Sequence, residues 1–210
     1  MNLLELLRGR RLLAIVRGTD RDAAIRAVRT LAEEGVGLVE VSLTGRDALE
    51  VIREASAELG PEAPLGAGTV LTAEDARAAR DAGAAFVVTP GLGAGLTEAR
   101  RLGLPTLAGA LTPSEIIAAL AAGATAVKVF PADSMGGPRY LRALRGPFPD
   151  VPLVPVGGVD AEAADGYLAG GATAVGVGSP LVGDAADGGD LDALRERART
   201  YLRVAKGRAA

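Results

Sequence analysis

Histidine and cysteine are both missing from the 210 residues, and with them go whole classes of chemistry. There can be no Ser/His or Cys/His nucleophile pair, no thiolate zinc site and no imidazole metal ligand. Aromatics make up 3% of the chain, too few to offer a surface for stacking bases; with a formal charge of −3 and dispersed basic residues, no nucleic-acid partner is expected. Long apolar runs are lacking too. The opening stretch MNLLELLRGRRLLAIV is interrupted by Glu5, Arg8, Arg10 and Arg11, unlike the apolar centre of a signal peptide, and no run approaches membrane-spanning length. The expected location is cytoplasmic, with no membrane partner. No composition break or linker divides the chain, and its length suits one sizeable core, so residues 1–210 are expected to form a single domain.

Lysine is the scarcest charge that is present. Lys128 and Lys206 are its two occurrences, so 21 of the 23 basic residues are arginine. Lys128 stands in the middle of an apolar run, AVKVFP, between a helix-ending Gly123 and a breaking Pro131, which reads as a short buried strand. Arginine is always protonated and cannot act as a nucleophile, whereas a desolvated amine can lose its proton near neutral pH and attack a carbonyl. A strand lysine that merely points outward or snorkels to a helix gap is the structural alternative.

Short Val/Leu/Ala-rich runs alternate with amphipathic stretches along the whole sequence. Strands are expected at 12–17, 38–43, 64–70, 86–90, 106–111, 126–131, 153–158 and 174–179. Helices are expected at 20–34, 46–58, 73–82, 113–122 and 190–205, among others, several opened by a capping residue: Asp20, Thr72, Ser114. Eight such units in this length imply a closed parallel (β/α)₈ TIM barrel.

An internal repeat supports that reading. The junctions EEGVGLVEV (33–41), DAGAAFVVT (81–89), AAGATAVKV (121–129) and AGGATAVGV (169–177) are alike, and their glycines Gly35, Gly83, Gly123 and Gly171 are 48, 40 and 48 residues apart, two β/α units each. Five residues past each glycine stand Glu40, Val88, Lys128 and Gly176. Alternate strands of such a barrel fill the same interior layer, so these four residues should point inward and Glu40 should face Lys128. A buried pair of charges often only breaks even against apolar replacements, which favours function over structure as the reason for it.

The carboxyl ends of the strands add polar groups. Arg17 closes the first strand, where it can bind a carboxylate or neutralise Glu40. Thr69 follows Gly66-Ala67-Gly68, Gly157-Gly158 ends the seventh strand and Gly178-Ser179 the eighth. The loops after strands seven and eight are the usual phosphate cradle of this barrel, because backbone N–H groups converge there on an anion.

Taken together, AIVRG (14–18), EVSLT (40–44), GAGTV (66–70), TPG (89–91), GALTPSE (109–115), KVFPAD (128–133), VPVGGV (154–159) and GVGSPL (176–181) resemble the bacterial 2-keto-3-deoxy-6-phosphogluconate aldolases, which also cleave 4-hydroxy-2-oxoglutarate. The likeness runs in order over nearly the whole chain. It implies a metal-independent class I aldolase, a homotrimer acting on a phosphorylated keto acid and releasing pyruvate, with no cofactor beyond the Schiff base itself. Lys128 would be the Schiff-base nucleophile and Glu40 the general acid/base. Arg17, Thr44, Thr69, Pro90, Phe130 and Val156 would surround the substrate, and Gly157, Gly158, Gly178 and Ser179 would hold the phosphate. Two positions depart from the commonest pattern: Thr44 stands where many relatives carry arginine, and Val156 where gluconate-type enzymes often have threonine and galactonate-type relatives valine. Two other classes fit the pattern: a different phosphate-binding barrel, such as an isomerase or thiamine-phosphate synthase relative, which needs no lysine in the sixth strand, and a non-catalytic trimeric scaffold, whose trace would be apolar residues on outer helix faces.

Overall fold

Each of the four repeated glycines ends a helix. In the computed structural model, which describes residues 2–61 and 63–207, Gly35, Gly83, Gly123 and Gly171 have φ of 90°, 95°, 79° and 92°. That left-handed turn costs a glycine nothing and reverses the chain into the next strand. The repeat in the sequence is therefore the recurrence of one helix-to-strand turn.

In chain order the elements are α1 (Leu3–Arg10), β1 (Leu12–Val16), α2 (Arg21–Glu33), β2 (Val39–Ser42), α3 (Ala48–Leu59), β3 (Leu65–Gly68), α4 (Ala73–Asp81), β4 (Phe86–Val88), α5 (Ala94–Arg101), β5 (Thr106–Ala110), α6 (Pro113–Ala121), β6 (Ala126–Val129), α7 (Pro138–Arg145), β7 (Leu153–Pro155), α8 (Ala161–Ala169), β8 (Val175–Val177), α9 (Ser179–Val182) and α10 (Leu191–Gly207). All eight strands are parallel, in the order β7-β6-β5-β4-β3-β2-β1-β8. The ring closes where β7 meets β8 through the bridge between Val156 and Gly176. The chain is a (β/α)₈ TIM barrel.

Strand alternation divides the apolar residues into two cores. Val39 and Val41 of β2, and Val127 and Val129 of β6, face the helices. Leu13, Leu38, Phe86, Val88, Leu107, Ala126, Val154 and Ala174 fill the barrel interior. Leu3 and Leu7 of α1 close its floor, each worth about 1.5–3 kcal/mol by burial. Phe86 occupies the centre because Gly66 lacks a side chain: a Cβ there would lie 2.3 Å from the ring.

Two expectations need correction at the level of elements. Every strand is shorter than its apolar run, because the carboxyl-terminal residues of each run leave the sheet to form the loops that bear the site. The cap of α6 is Thr112, not Ser114. Its hydroxyl accepts from Glu115 N–H, the Glu115 carboxylate accepts from Thr112 N–H, and Pro113 takes the first helical position, where its missing N–H is no loss. Asp20 and Thr72 cap α2 and α4 as expected.

Candidate active site

The same alternation that sends Val39 and Val41 outward sends Glu40 and Ser42 inward, and on β6 it sends Lys128 inward between Val127 and Val129. In a ring of eight, β2 and β6 stand opposite each other. Glu40 is 1% exposed and Lys128 6%. Both line one cavity of about 570 Å³ that opens at the carboxyl ends of the strands. No ion pair joins the two side chains among the described residues, yet the Lys128 charge acts on Glu40 across the cavity.

Room for the Glu40 carboxylate comes from Gly68 on the neighbouring strand, where a Cβ would lie 2.7 Å from Glu40 Oε1. Burial raises the Glu40 pKa above the ordinary glutamate value, opposed by Lys128 first and then Arg17. Its Oε2 is buried and has no hydrogen-bond partner among the described residues. A carboxyl group so placed can pass a proton to and from a bound molecule. Lys128 Nζ lies 5.0 Å from the centroid of the Phe130 ring, which is itself partly exposed to solvent.

Arg17, Thr69, Pro90, Phe130 and Val156 also line the cavity; Thr44 does not. Arg17 Nε donates to Ser42 Oγ at 3.4 Å, and Ser42 Oγ lies 2.9 Å from both Thr44 Oγ1 and Thr69 Oγ1. Thr69 has φ of 59°, an outlier for a β-branched residue that costs about 1–3 kcal/mol and turns its side chain into the cavity. Backbone strain of this kind accompanies residues whose orientation matters more than their comfort.

Gly157, Gly158, Gly178 and Ser179 form a further part of the wall. Gly157 and Gly158 take φ of 103° and 62°, left-handed backbone that brings the chain to the cavity wall without a side chain in the way. Asp187 lines the cavity as well. Its Oδ1 accepts from Thr19 N–H at 2.6 Å and Thr19 Oγ1 at 2.7 Å, bonds that hold its carboxyl below the usual range.

Sequence reasoning thus missed two polar groups of the site. Ser42 has a legible signal, since it lies two residues past Glu40 on the same inward face. Asp187 has none, because its place depends on a contact across 168 residues with Thr19. No group of three or more acidic, histidine or cysteine side chains suited to a metal occurs among the described residues, and no helix among them is long and apolar enough to cross a membrane.

A family model described as KDPG and KHG aldolase matches residues 3–196. The KHG/KDPG aldolase of Escherichia coli (strain K12) is 36% identical over 185 residues, 87% of this chain and 86% of its own. A probable 2-dehydro-3-deoxy-6-phosphogalactonate aldolase of Rhizobium meliloti (strain 1021) is 36% identical over 196 residues, 92% of this chain and 90% of its own. Among solved structures, KDPG aldolase from Legionella pneumophila, with pyruvate captured as a covalent carbinolamine intermediate, superposes with a TM-score of 0.86 at 25% identity, covering 94% of this chain and 97% of that one.

Proposed function

Because the chain belongs to the KDPG and KHG aldolase family, and so to the carbon–carbon lyases, we propose that it is a metal-independent class I aldolase of one domain spanning residues 1–210. It cleaves 2-keto-3-deoxy-6-phosphogluconate to pyruvate and glyceraldehyde 3-phosphate, and takes 4-hydroxy-2-oxoglutarate as a further substrate. The observation that carries this reading is the pair of nearly buried groups on opposite walls of one cavity: the Lys128 amine, and the Glu40 carboxylate with an oxygen left unbonded. A structural scaffold has no use for that cost.

In the proposed cycle Lys128 adds to the C2 ketone, and loss of water gives an iminium. Glu40 removes the C4 hydroxyl proton, the C3–C4 bond breaks, and its electrons flow into the iminium to leave an enamine and free the aldehyde. Glu40 then returns the proton to C3, and hydrolysis releases pyruvate and restores Lys128. The substrate carboxylate meets Arg17 and Thr69, Pro90 and Phe130 flank the pyruvyl carbons, and the phosphate rests on Gly157, Gly158, Gly178 and Ser179. Loss of the Schiff base should leave no catalysis: Lys128→Met is expected to bring pyruvate release to background, while wild-type turnover continues in the presence of a chelator. Turnover by Lys128→Met, or its loss on chelation, would contradict the reading.

Val156 and the Rhizobium relative favour the 6-phosphogalactonate epimer as a second reading. Comparing kcat/KM for the two epimers and for 4-hydroxy-2-oxoglutarate ranks the three. Exposed apolar side chains on α6 (Ile117, Leu120) and on the carboxyl-terminal loops (Leu71, Leu92, Met135) support assembly as a homotrimer, which light scattering measures. A phosphorylated keto acid does not diffuse across a bilayer, so the cytoplasm is where this substrate would be met.

A further inference from the structure

Two of the groups assigned to the substrate carboxylate hang on one hydroxyl. Ser42 is 0% exposed at the end of β2 and is not among the residues that line the cavity. A serine hydroxyl has one proton and two lone pairs. Arg17 Nε–H occupies one lone pair. Of the two threonines at 2.9 Å, one must then donate into the other lone pair and the other must receive the proton. Every bond that Ser42 can make through its side chain is spent inside the cluster.

That count removes Ser42 from direct contact with a ligand and gives it a different task. When Ser42 donates to Thr69, the Thr69 hydroxyl keeps its own proton for the cavity; when it accepts from Thr69, the cavity meets a lone pair instead. A carboxylate is an acceptor only, so it selects the first arrangement. The same hydroxyl holds Arg17 by Nε, which leaves both terminal nitrogens of the guanidinium for the fork-to-fork contact that carboxylates favour. The left-handed backbone of Thr69 fixes where its side chain starts, so only rotation about χ1 is left to re-aim the hydroxyl.

We infer that Ser42 is the positioning residue of the carboxylate site, holding the Arg17 fork and giving Thr69 its donor direction, with Thr44 acting behind it instead of on the substrate. This role rests on the aldolase reading above. Thr44 occupies the position where many relatives carry arginine, and the charge that arginine would bring is met here by Arg17 from the first strand.

The test uses pyruvate alone. An enamine formed on the enzyme exchanges the pyruvate methyl protons with deuterium from solvent, and proton NMR gives the half-saturating pyruvate concentration and the maximal exchange rate separately. Ser42→Ala is expected to raise half-saturation about three- to tenfold, the scale of a weakened charge-assisted bond, with the maximal rate changed by less than about twofold. Ser42→Thr, which keeps the hydroxyl, should recover most of the loss. Thr44→Val should raise half-saturation less than Ser42→Ala, because the Ser42 proton still goes to Thr69. Unchanged half-saturation in Ser42→Ala, no recovery in Ser42→Thr, or a larger effect from Thr44→Val overturns the assignment. Should Ser42→Ala fail to fold, Thr69→Val must exceed Thr44→Val in the same measurement, and the reverse order overturns it. Wild-type protein that exchanges no methyl protons overturns the aldolase reading itself; exchange in the wild type with an unaffected Ser42→Ala overturns only the role of Ser42.

Discussion

Two regions of the molecule each hold a glutamate with little exposure, and they treat it in opposite ways. In the seam between α4 and α5, Glu98 is 8% exposed. It accepts from Arg77 Nη1, Arg101 Nε and Arg101 Nη2, all at 2.8 Å, and those bonds, Arg101 first, lower its pKa to about 2. Inside the barrel, Glu40 is 1% exposed, has an unbonded Oε2, and has its pKa raised by burial. This chain is rich in arginine and uses it to surround a carboxylate where only the fold is at stake. On β2 it withholds that partner, leaving a buried oxygen unsatisfied at a cost of about 1–3 kcal/mol. The strained Thr69 lies in the same cavity. Unfavourable terms gather at the site, as they do where function and stability compete.

Substituting each glutamate by its amide should separate the two regions. The largest effect is expected from Glu40→Gln: cleavage falls by about 10²–10⁴ with the loss of its general acid/base. The same variant should unfold at a higher temperature than wild type at neutral pH. A raised folded-state pKa means that the native protein holds the Glu40 proton more tightly than the unfolded chain does. The stability this contributes is present in acid and is lost as pH rises through the native pKa. The advantage of Glu40→Gln should therefore shrink as pH falls. A Glu40→Gln protein that is active, or less stable than wild type at neutral pH, would erase the contrast.

Glu98→Gln is the mirror image and a smaller effect, since Arg101 is largely solvated and Arg77 partly so. Turnover should stay within about twofold of wild type, as Glu98 lies outside the cavity. Stability should drop modestly at neutral pH. With its folded-state pKa depressed to about 2, Glu98 stabilises the fold above its unfolded value, and that contribution disappears as pH falls towards 2. Thermal melts between pH 2 and 5 should show a shallower slope in Glu98→Gln, and an unchanged slope would mean that the arginine fork contributes nothing.

The smallest effect is expected at Asp187, an acidic side chain in the wall of a cavity proposed to receive a phosphate. Asp187→Asn should raise kcat/KM for the phosphorylated substrate relative to 4-hydroxy-2-oxoglutarate by about two- to fivefold at low salt, and by less at high salt. An unchanged ratio would show that the phosphate does not pass near this carboxylate.

How far the site was legible depends on the range of the interaction. Glu40, Val88, Lys128 and Gly176 are placed in one interior layer by a local device, the glycine turn five residues before each, and the structure puts all four inside the barrel. Lys128 stood out because arginine fills nearly every other basic position. Thr112 is equally legible, since it forms a capping box with Glu115 across Pro113, a more specific signal than the capping propensity of Ser114. The inward register of Ser42 is legible, but its bonds to Arg17 and Thr69 and the place of Asp187 are not, because each joins strands or loops that only the folded sheet brings together. The helix α1 was hidden for a related reason. Its leucines count as core only once there is a barrel floor for them to cover.

The most direct test of the account is borohydride reduction in the presence of pyruvate, followed by mass analysis of the digested protein. One reduced pyruvyl adduct is expected, on the peptide that carries Lys128 and not on the one with Lys206, and none in Lys128→Met. No adduct, or an adduct on Lys206, would contradict it.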